Sequence, residues 1–276
     1  MYDFTYHRPA SLDEVARLTA ASEDPKVLAG GMSLLPTLKQ RLTRHSDLVD
    51  LAGIASLAGI RREADALVIG AMTRHADVAD STDVKEAIPA LAVLAEGIGD
   101  PLVRNRGTIG GSIANADPAA DYPAAVLGLG ATVITGRRAI AADDFFTGLF
   151  ETALDPGELI IAVRFPIPDK AGYTKFPNPA SRFAIVGVFV AKTGTSKTGE
   201  ADGGVRVVVT GAGPCVFRLP EAEARLAESF TPEALDGLVV SQDGLNTDIH
   251  ASAEYRAHVI AVMAKRAVAQ AAGSVR

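Results

Sequence analysis

The spacing of apolar and polar residues divides the chain into three zones. In the first, Leu12–Ala21 places its apolar side chains at helical intervals. Ser11 stands at the N-cap position, with Glu14 three residues on, which is the spacing of a capping box. Lys26-Val-Leu-Ala29 is a short apolar run that predicts a buried strand leading into Gly30-Gly31. A second helix is expected over Ser33–Leu42, with Pro36 tolerated in its first turn, and Asp47–Leu51 predicts another strand. The pattern is that of a compact βαβ-like unit.

The second zone mixes predicted strands at Ala66–Ile69, Ala131–Ile134 and Glu158–Phe165 with a helix around Ala87–Glu96. In the third, strands at Ala184–Lys192 and Val205–Thr210 flank the turn-rich segment GTSKTGEADGG, the signature of a hairpin with a mobile tip. Helices at Pro220–Glu228 and Ser252–Ala272 complete it. No internal repeat or low-complexity tract interrupts the pattern.

With 276 residues, 48% of them hydrophobic, the chain can build a sizeable core divided into more than one unit. The net charge of −6 and the scattered Lys and Arg residues argue against a nucleic-acid partner. Cys215 is the only cysteine, so an internal disulfide, a thiolate zinc site and an iron–sulfur cluster are all excluded. The five histidines show no metal-binding spacing, and no metal site is expected. The N-terminal MYDFTYHRPASLDEV lacks the basic start and apolar core of a secretory signal, and no apolar run is long enough to span a bilayer. The expectation is a cytoplasmic protein with no membrane span.

Two stretches resist explanation by core packing. Thr108-Ile-Gly-Gly-Ser-Ile-Ala-Asn-Ala-Asp-Pro-Ala-Ala-Asp121 is too polar and glycine-rich for a buried strand, and too closely followed by Asp-Pro for a long helix. Ala29-Gly-Gly-Met-Ser33 shares its arrangement of strand, paired glycines and hydroxyl residue. Paired glycines reach backbone angles closed to other residues and let successive N–H groups converge on an anion. Two such loops would clamp a diphosphate from both sides, with Ser33, Thr108 and Ser112 adding hydroxyl donors. A Gly-Gly pair can equally be a turn or a bulge, and the residues alone leave both readings open. The dinucleotide fingerprint GxGxxG and the P-loop are both absent.

The segments LAGGMSLLPTLKQRL, VRNRGTIGGSIANADPAADYPAAVLGLGA and YTKFPNPASRFAIVGV together resemble the FAD-binding medium subunit of molybdenum hydroxylases, the carbon monoxide dehydrogenase and xanthine dehydrogenase type. The resemblance extends to the late ASAEYRAHVIAVMAKRAV helix. It implies an α+β fold: a vanillyl-alcohol-oxidase-like (PCMH-type) FAD-binding domain of two α/β subdomains, over 1–53 and 54–172, and a C-terminal α/β flavoprotein domain over 173–276.

By matching position, the resemblance makes Val27, Leu28, Ala29, Gly30, Gly31, Met32, Ser33 and Leu34 contacts of FAD, along with Thr108, Ile109, Gly110, Gly111 and Ser112. Asp121 would bind a polar part of the cofactor. Ile98 would lie near the flavin, Ile161 would line the pocket, and Lys175 would be a basic neighbour. Asp117, before Pro118, either caps a turn or touches the cofactor. Met32 and Asp100 depart from the family, which often has Gln or His at the first position and His at the second.

No His or Cys lies in either loop to form a covalent flavin link, so FAD should be noncovalent. Arg104 and Arg106 could pair with phosphate or be solvated charges, and Cys215 should be a buried apolar residue. No catalytic acid or base is expected in the chain itself.

The resemblance further implies a large subunit holding the molybdenum cofactor and a small subunit holding [2Fe–2S] clusters, assembled as a dimer of heterotrimers. Electrons would reach FAD here and pass to an external acceptor, NAD or a quinone. The alternative is a self-contained FAD-dependent oxidoreductase of the same flavin fold. That would need an acid–base pair over the flavin, and the C-terminal zone offers no obvious pair. A nucleotide-binding module without redox chemistry is a third reading, which bound flavin would exclude.

Overall fold

In the computed structural model the first helix runs over Leu12–Ala21, and the Ser11 hydroxyl accepts from the Glu14 amide at 3.2 Å. Glu14 completes the cap by accepting from the Ala10 amide at 3.0 Å rather than from Ser11. The structure describes residues 1–194 and 204–273, so the expected hairpin tip at 195–203 lies outside the described residues.

A three-stranded parallel sheet forms the N-terminal layer, with Asp47–Asp50 between Thr5–His7 and Pro25–Leu28. Thr5–His7 was invisible in the pattern because three mostly polar residues carry no periodicity. The second helix is shorter than expected, spanning Leu34–Lys39 and stopping before Arg41, which adopts φ 59°. Pro36 lies in its first turn, where no intrahelical N–H bond is lost.

The second sheet is antiparallel, in the order Ile60–Arg62, Ala66–Gly70, Ile160–Pro166, Thr132–Thr135, Ala139–Ala141. Between Gly70 and Thr132 the chain folds into short helices: His75–Asp80, Thr82–Ala87, Pro89–Glu96, Pro101–Arg104, Ile109–Asn115 and Tyr122–Gly128. The expected single helix around Ala87–Glu96 is thus one of several. Pro89 starts it at the first position, and Ile88 separates it from Thr82–Ala87.

The third sheet is an antiparallel meander of Lys170–Pro177, Ala184–Thr193, Gly204–Thr210 and Phe217–Arg218. Its strand Ala184–Thr193 is buried on both faces. Phe189 and Ala191 join the core of the second unit, whereas Val186, Val188 and Val190 pack toward the helices Pro220–Glu228 and Ala253–Ala271. Helix Tyr122–Gly128 lies wholly in the shared core. Glycine-loop elements and third sheet are therefore coupled through one body of packed side chains.

Candidate functional site

The first glycine loop leaves the carboxyl end of strand Pro25–Leu28, the side of a parallel sheet on which α/β proteins hold ligands. Gly31 has φ +75°, a backbone state that L side chains rarely adopt. Among the described residues, no protein acceptor takes the amide N–H of Gly30, Gly31, Met32, Ser33 or Leu34. Ser33 makes no side-chain cap bond, so its hydroxyl is also available. Five consecutive unsatisfied amides entering a helix form a donor array suited to a diphosphate.

The TIGG segment is built differently. Thr108 caps helix Ile109–Asn115, its hydroxyl accepting from the Gly111 amide at 3.2 Å. The Ile109 amide bonds the Thr73 carbonyl at 3.1 Å, Gly110 bonds Ala71 at 2.8 Å and Ser112 bonds Thr108 at 3.0 Å. No strand precedes this segment; only an isolated bridge joins Thr108 to Arg74. The expected second amide nest is therefore corrected, because its donors are consumed by the fold. Gly110 and Gly111 have ordinary backbone angles and are small for packing: a Cβ on Gly110 would stand 2.6 Å from the Ala71 Cβ.

The two loops do meet. A Cβ on Gly30 would collide with the Arg106 carbonyl, and one on Gly111 would stand 3.3 Å from the Ala29 Cβ. At their junction lies a cavity of about 230 Å³ lined by Ala29, Gly30 and Thr108, with Arg74 and Arg106 beside them. The site thus offers one amide array, two hydroxyls and two guanidinium groups. These residues fit the diphosphate of FAD.

Asp121 and Lys175, both expected to contact the cofactor, form an ion pair with each other at 2.9 Å. Both side chains are buried, and the Tyr173 hydroxyl donates to the same Asp121 oxygen. Burial pushes the Asp121 carboxyl above the usual carboxylate range, while Lys175 and Tyr173 pull it back. Lys175 also donates to the Gly97 carbonyl at 2.8 Å, beside Ile98. Arg104 binds the Ile98 and Gly99 carbonyls at 3.0 and 3.2 Å, and Arg182 reaches Gly99 at 3.3 Å. The 97–99 loop is thereby held by three cations from outside it, Lys175, Arg104 and Arg182.

Of the remaining expected residues, Asp117 accepts from the Ala119 amide at 2.9 Å, the turn-capping role, and burial pushes its carboxyl up. Val27 and Ile161 pack against the N-terminal apolar cluster, and neither lines the cavity. Leu28 is buried and Met32 is exposed. Asp100 caps helix Pro101–Arg104 by accepting from the Val103 amide at 2.9 Å. Cys215 is half-buried against the Phe146 carbonyl rather than fully buried.

Sequence reasoning missed Arg74 and His75. The His75 ring is buried 5.2 Å from that of Tyr122, and neither its Nδ1 nor the Tyr122 hydroxyl has a partner among the described residues. Burial, assisted by the charge of Arg104, pushes the His75 pKa down to about 4, so the ring is neutral at pH 7.

A family model for the FAD binding domain in molybdopterin dehydrogenase matches residues 2–168, more than half of the chain. The carbon monoxide dehydrogenase medium chain of Hydrogenophaga pseudoflava is 35% identical over 96% of both chains. The nicotine 6-hydroxylase medium subunit of Paenarthrobacter nicotinovorans is 34% identical, also over 96% of each. Among solved structures, reconstituted CO dehydrogenase from Oligotropha carboxidovorans superposes with a TM-score of 0.88 at 35% identity, covering 99% of this chain and 98% of that one. The amide array, its setting in the fold and these full-length likenesses converge: the chain belongs to the FAD-carrying, electron-transferring medium subunits of molybdenum hydroxylases.

Proposed function

We propose that the amides of Gly30–Leu34 bind the FAD diphosphate, with the hydroxyls of Ser33 and Thr108 as further donors. The observation that carries this reading is the run of amides without protein acceptors where the two glycine loops touch. Val27 and Leu28 set the loop's exit from the sheet, and Ile109–Ser112 hold Thr108 in place through their own hydrogen bonds. Ile98, on the loop fastened by Lys175 and hence by Asp121, lies toward the flavin ring. Asp117 shapes the turn before that buried pair, and Ile161 supports the N-terminal layer behind the site.

Bound flavin supplies reversible two-electron and one-electron chemistry; the chain binds it, orients it and keeps it noncovalent. The unsatisfied amides and neighbouring guanidinium groups neutralise the diphosphate without any change in protonation. Electrons enter from [2Fe–2S] clusters on a small subunit, whose own source is the molybdenum cofactor of a large subunit, and leave to NAD or a quinone. The complex is a dimer of heterotrimers in the cytoplasm.

Replacing Gly31 with Val tests the site. The branched side chain opposes the φ of +75° and redirects the amides that follow. The variant should fold with the wild-type circular dichroism and lose bound flavin. Full flavin content in the variant would refute the assignment. Acid precipitation of the wild type should leave all flavin in the supernatant, whereas a yellow pellet would refute noncovalent binding.

A further inference from the structure

We infer that the groove between residues 238–243 and helix Ala253–Ala271 docks an extended, basic segment of the large subunit, which adds to it as a β-strand. The inference rests on the subunit reading above and gives that contact a place on this chain. The groove has a volume of about 520 Å³ and shares no residue with the glycine-loop cavity. One wall is the 238–243 segment, and the other is the helix face carrying Glu254, Ala257, His258 and Ala261.

The segment has the side-chain period of a strand but no partner strand. Leu238 is buried, Val239 is 80% exposed, Val240 is half-buried and Ser241 is exposed, the alternation of an extended chain. Leu238 and Val240 pack onto the core beneath helices Pro220–Glu228 and Ala253–Ala271. Among the described residues, the amides of Val239, Val240, Ser241 and Gln242 find no protein acceptor. The carbonyls of Leu238, Val239, Val240 and Ser241 likewise find no protein donor. Such a row of free donors and acceptors is a template to which an extended peptide adds. Exposed edges are ordinarily blunted by Lys or Pro, and Leu-Val-Val-Ser-Gln-Asp contains neither.

The charges of the groove define its occupant. Asp243 and Glu254 both line it, both are exposed, and neither forms an ion pair among the described residues. No Lys or Arg lines the groove, and the chain as a whole carries a net charge of −6. A second copy would set carboxylate against carboxylate, whereas a basic segment is attracted. Ala257 and Ala261 leave room between the charges for an aliphatic side chain. The small subunit has to hold its cluster near the flavin, and every residue of the groove lies beyond position 237, outside the segments assigned to the cofactor. The large subunit has no such constraint and is the occupant assigned here.

The flavin-loaded full-length chain is titrated with the purified large and small subunits separately, at low and high salt. Asp243→Asn combined with Glu254→Gln should raise the large-subunit dissociation constant about tenfold and flatten its salt dependence. Alternate amides of a strand face opposite edges, so one of Val239→Pro and Val240→Pro should weaken the large subunit about tenfold and the other should not. Flavin content, circular dichroism and small-subunit affinity should keep their wild-type values. The charge variant leaves the backbone untouched, so its result stands even where a proline variant fails to fold. Wild-type affinity for the large subunit in the charge variant would overturn the groove assignment and leave the subunit reading intact. A loss confined to the small subunit, or self-association of the chain abolished by either proline, would overturn the choice of occupant. A wild-type chain that binds neither subunit would overturn the subunit reading itself.

Discussion

Gly31 and Gly110 look alike in the sequence and are glycines for different reasons. Gly31 needs a left-handed backbone, whereas Gly110 needs the absence of a Cβ beside Ala71. Both motifs read as strand, glycine pair and hydroxyl, so the residues pointed to a phosphate loop twice over. Which amides the fold consumes depends on Ala71 and Thr73, about forty positions away from the pair, and no local pattern reports that. The Gly110→Ala variant should therefore lower stability by about 1–3 kcal/mol through overpacking, with or without FAD. Urea unfolding of the flavin-free protein measures it, and unchanged stability would return Gly110 to a purely cofactor role.

His75 makes a second residue-scale prediction. Its pKa of about 4 lies below the ordinary 6.5, so the unfolded chain takes up the proton first as pH falls. The stability that the neutral ring contributes is complete above pH 6.5 and is lost toward pH 4, on the order of 3 kcal/mol. Stability against pH for wild type and His75→Gln should diverge over that window, the wild type falling more steeply. Parallel curves would show that the ring does not titrate on unfolding.

Among the elements, the first helix and the main strands of the second and third sheets were legible because each holds a clear apolar period. The six short helices between Gly70 and Thr132 were mostly not, since four to eight residues give too few turns to establish one. Strand Lys170–Pro177, which carries the buried side chains of Tyr173 and Lys175, has no clean alternation of apolar and polar residues to mark it. Asp121 and Lys175 fasten helix Tyr122–Gly128, the third sheet and the 97–99 loop together. Removing one charge strands the other in a buried setting. Asp121→Asn or Lys175→Met should each destabilise by about 3–5 kcal/mol, and the double variant should recover part of the loss. A double-mutant cycle with no coupling would show that the pair does not act as a unit.

At the scale of the molecule, the division into a parallel N-terminal layer, an antiparallel second sheet and a third sheet with helices Pro220–Glu228 and Ala253–Ala271 leaves the glycine loops where the first two layers meet. The chain has one cysteine and belongs to a family of FAD-binding subunits, so its redox capacity is that of the flavin. As an electron outlet it is expected to leave organic substrates unoxidised when alone. The decisive measurement is anaerobic mixing of the flavin-loaded chain, first with candidate organic substrates and then with its iron–sulfur subunit held reduced. The account predicts that flavin absorbance persists with every substrate and bleaches on mixing with the reduced partner. Rapid bleaching by an organic substrate with no partner present would contradict it.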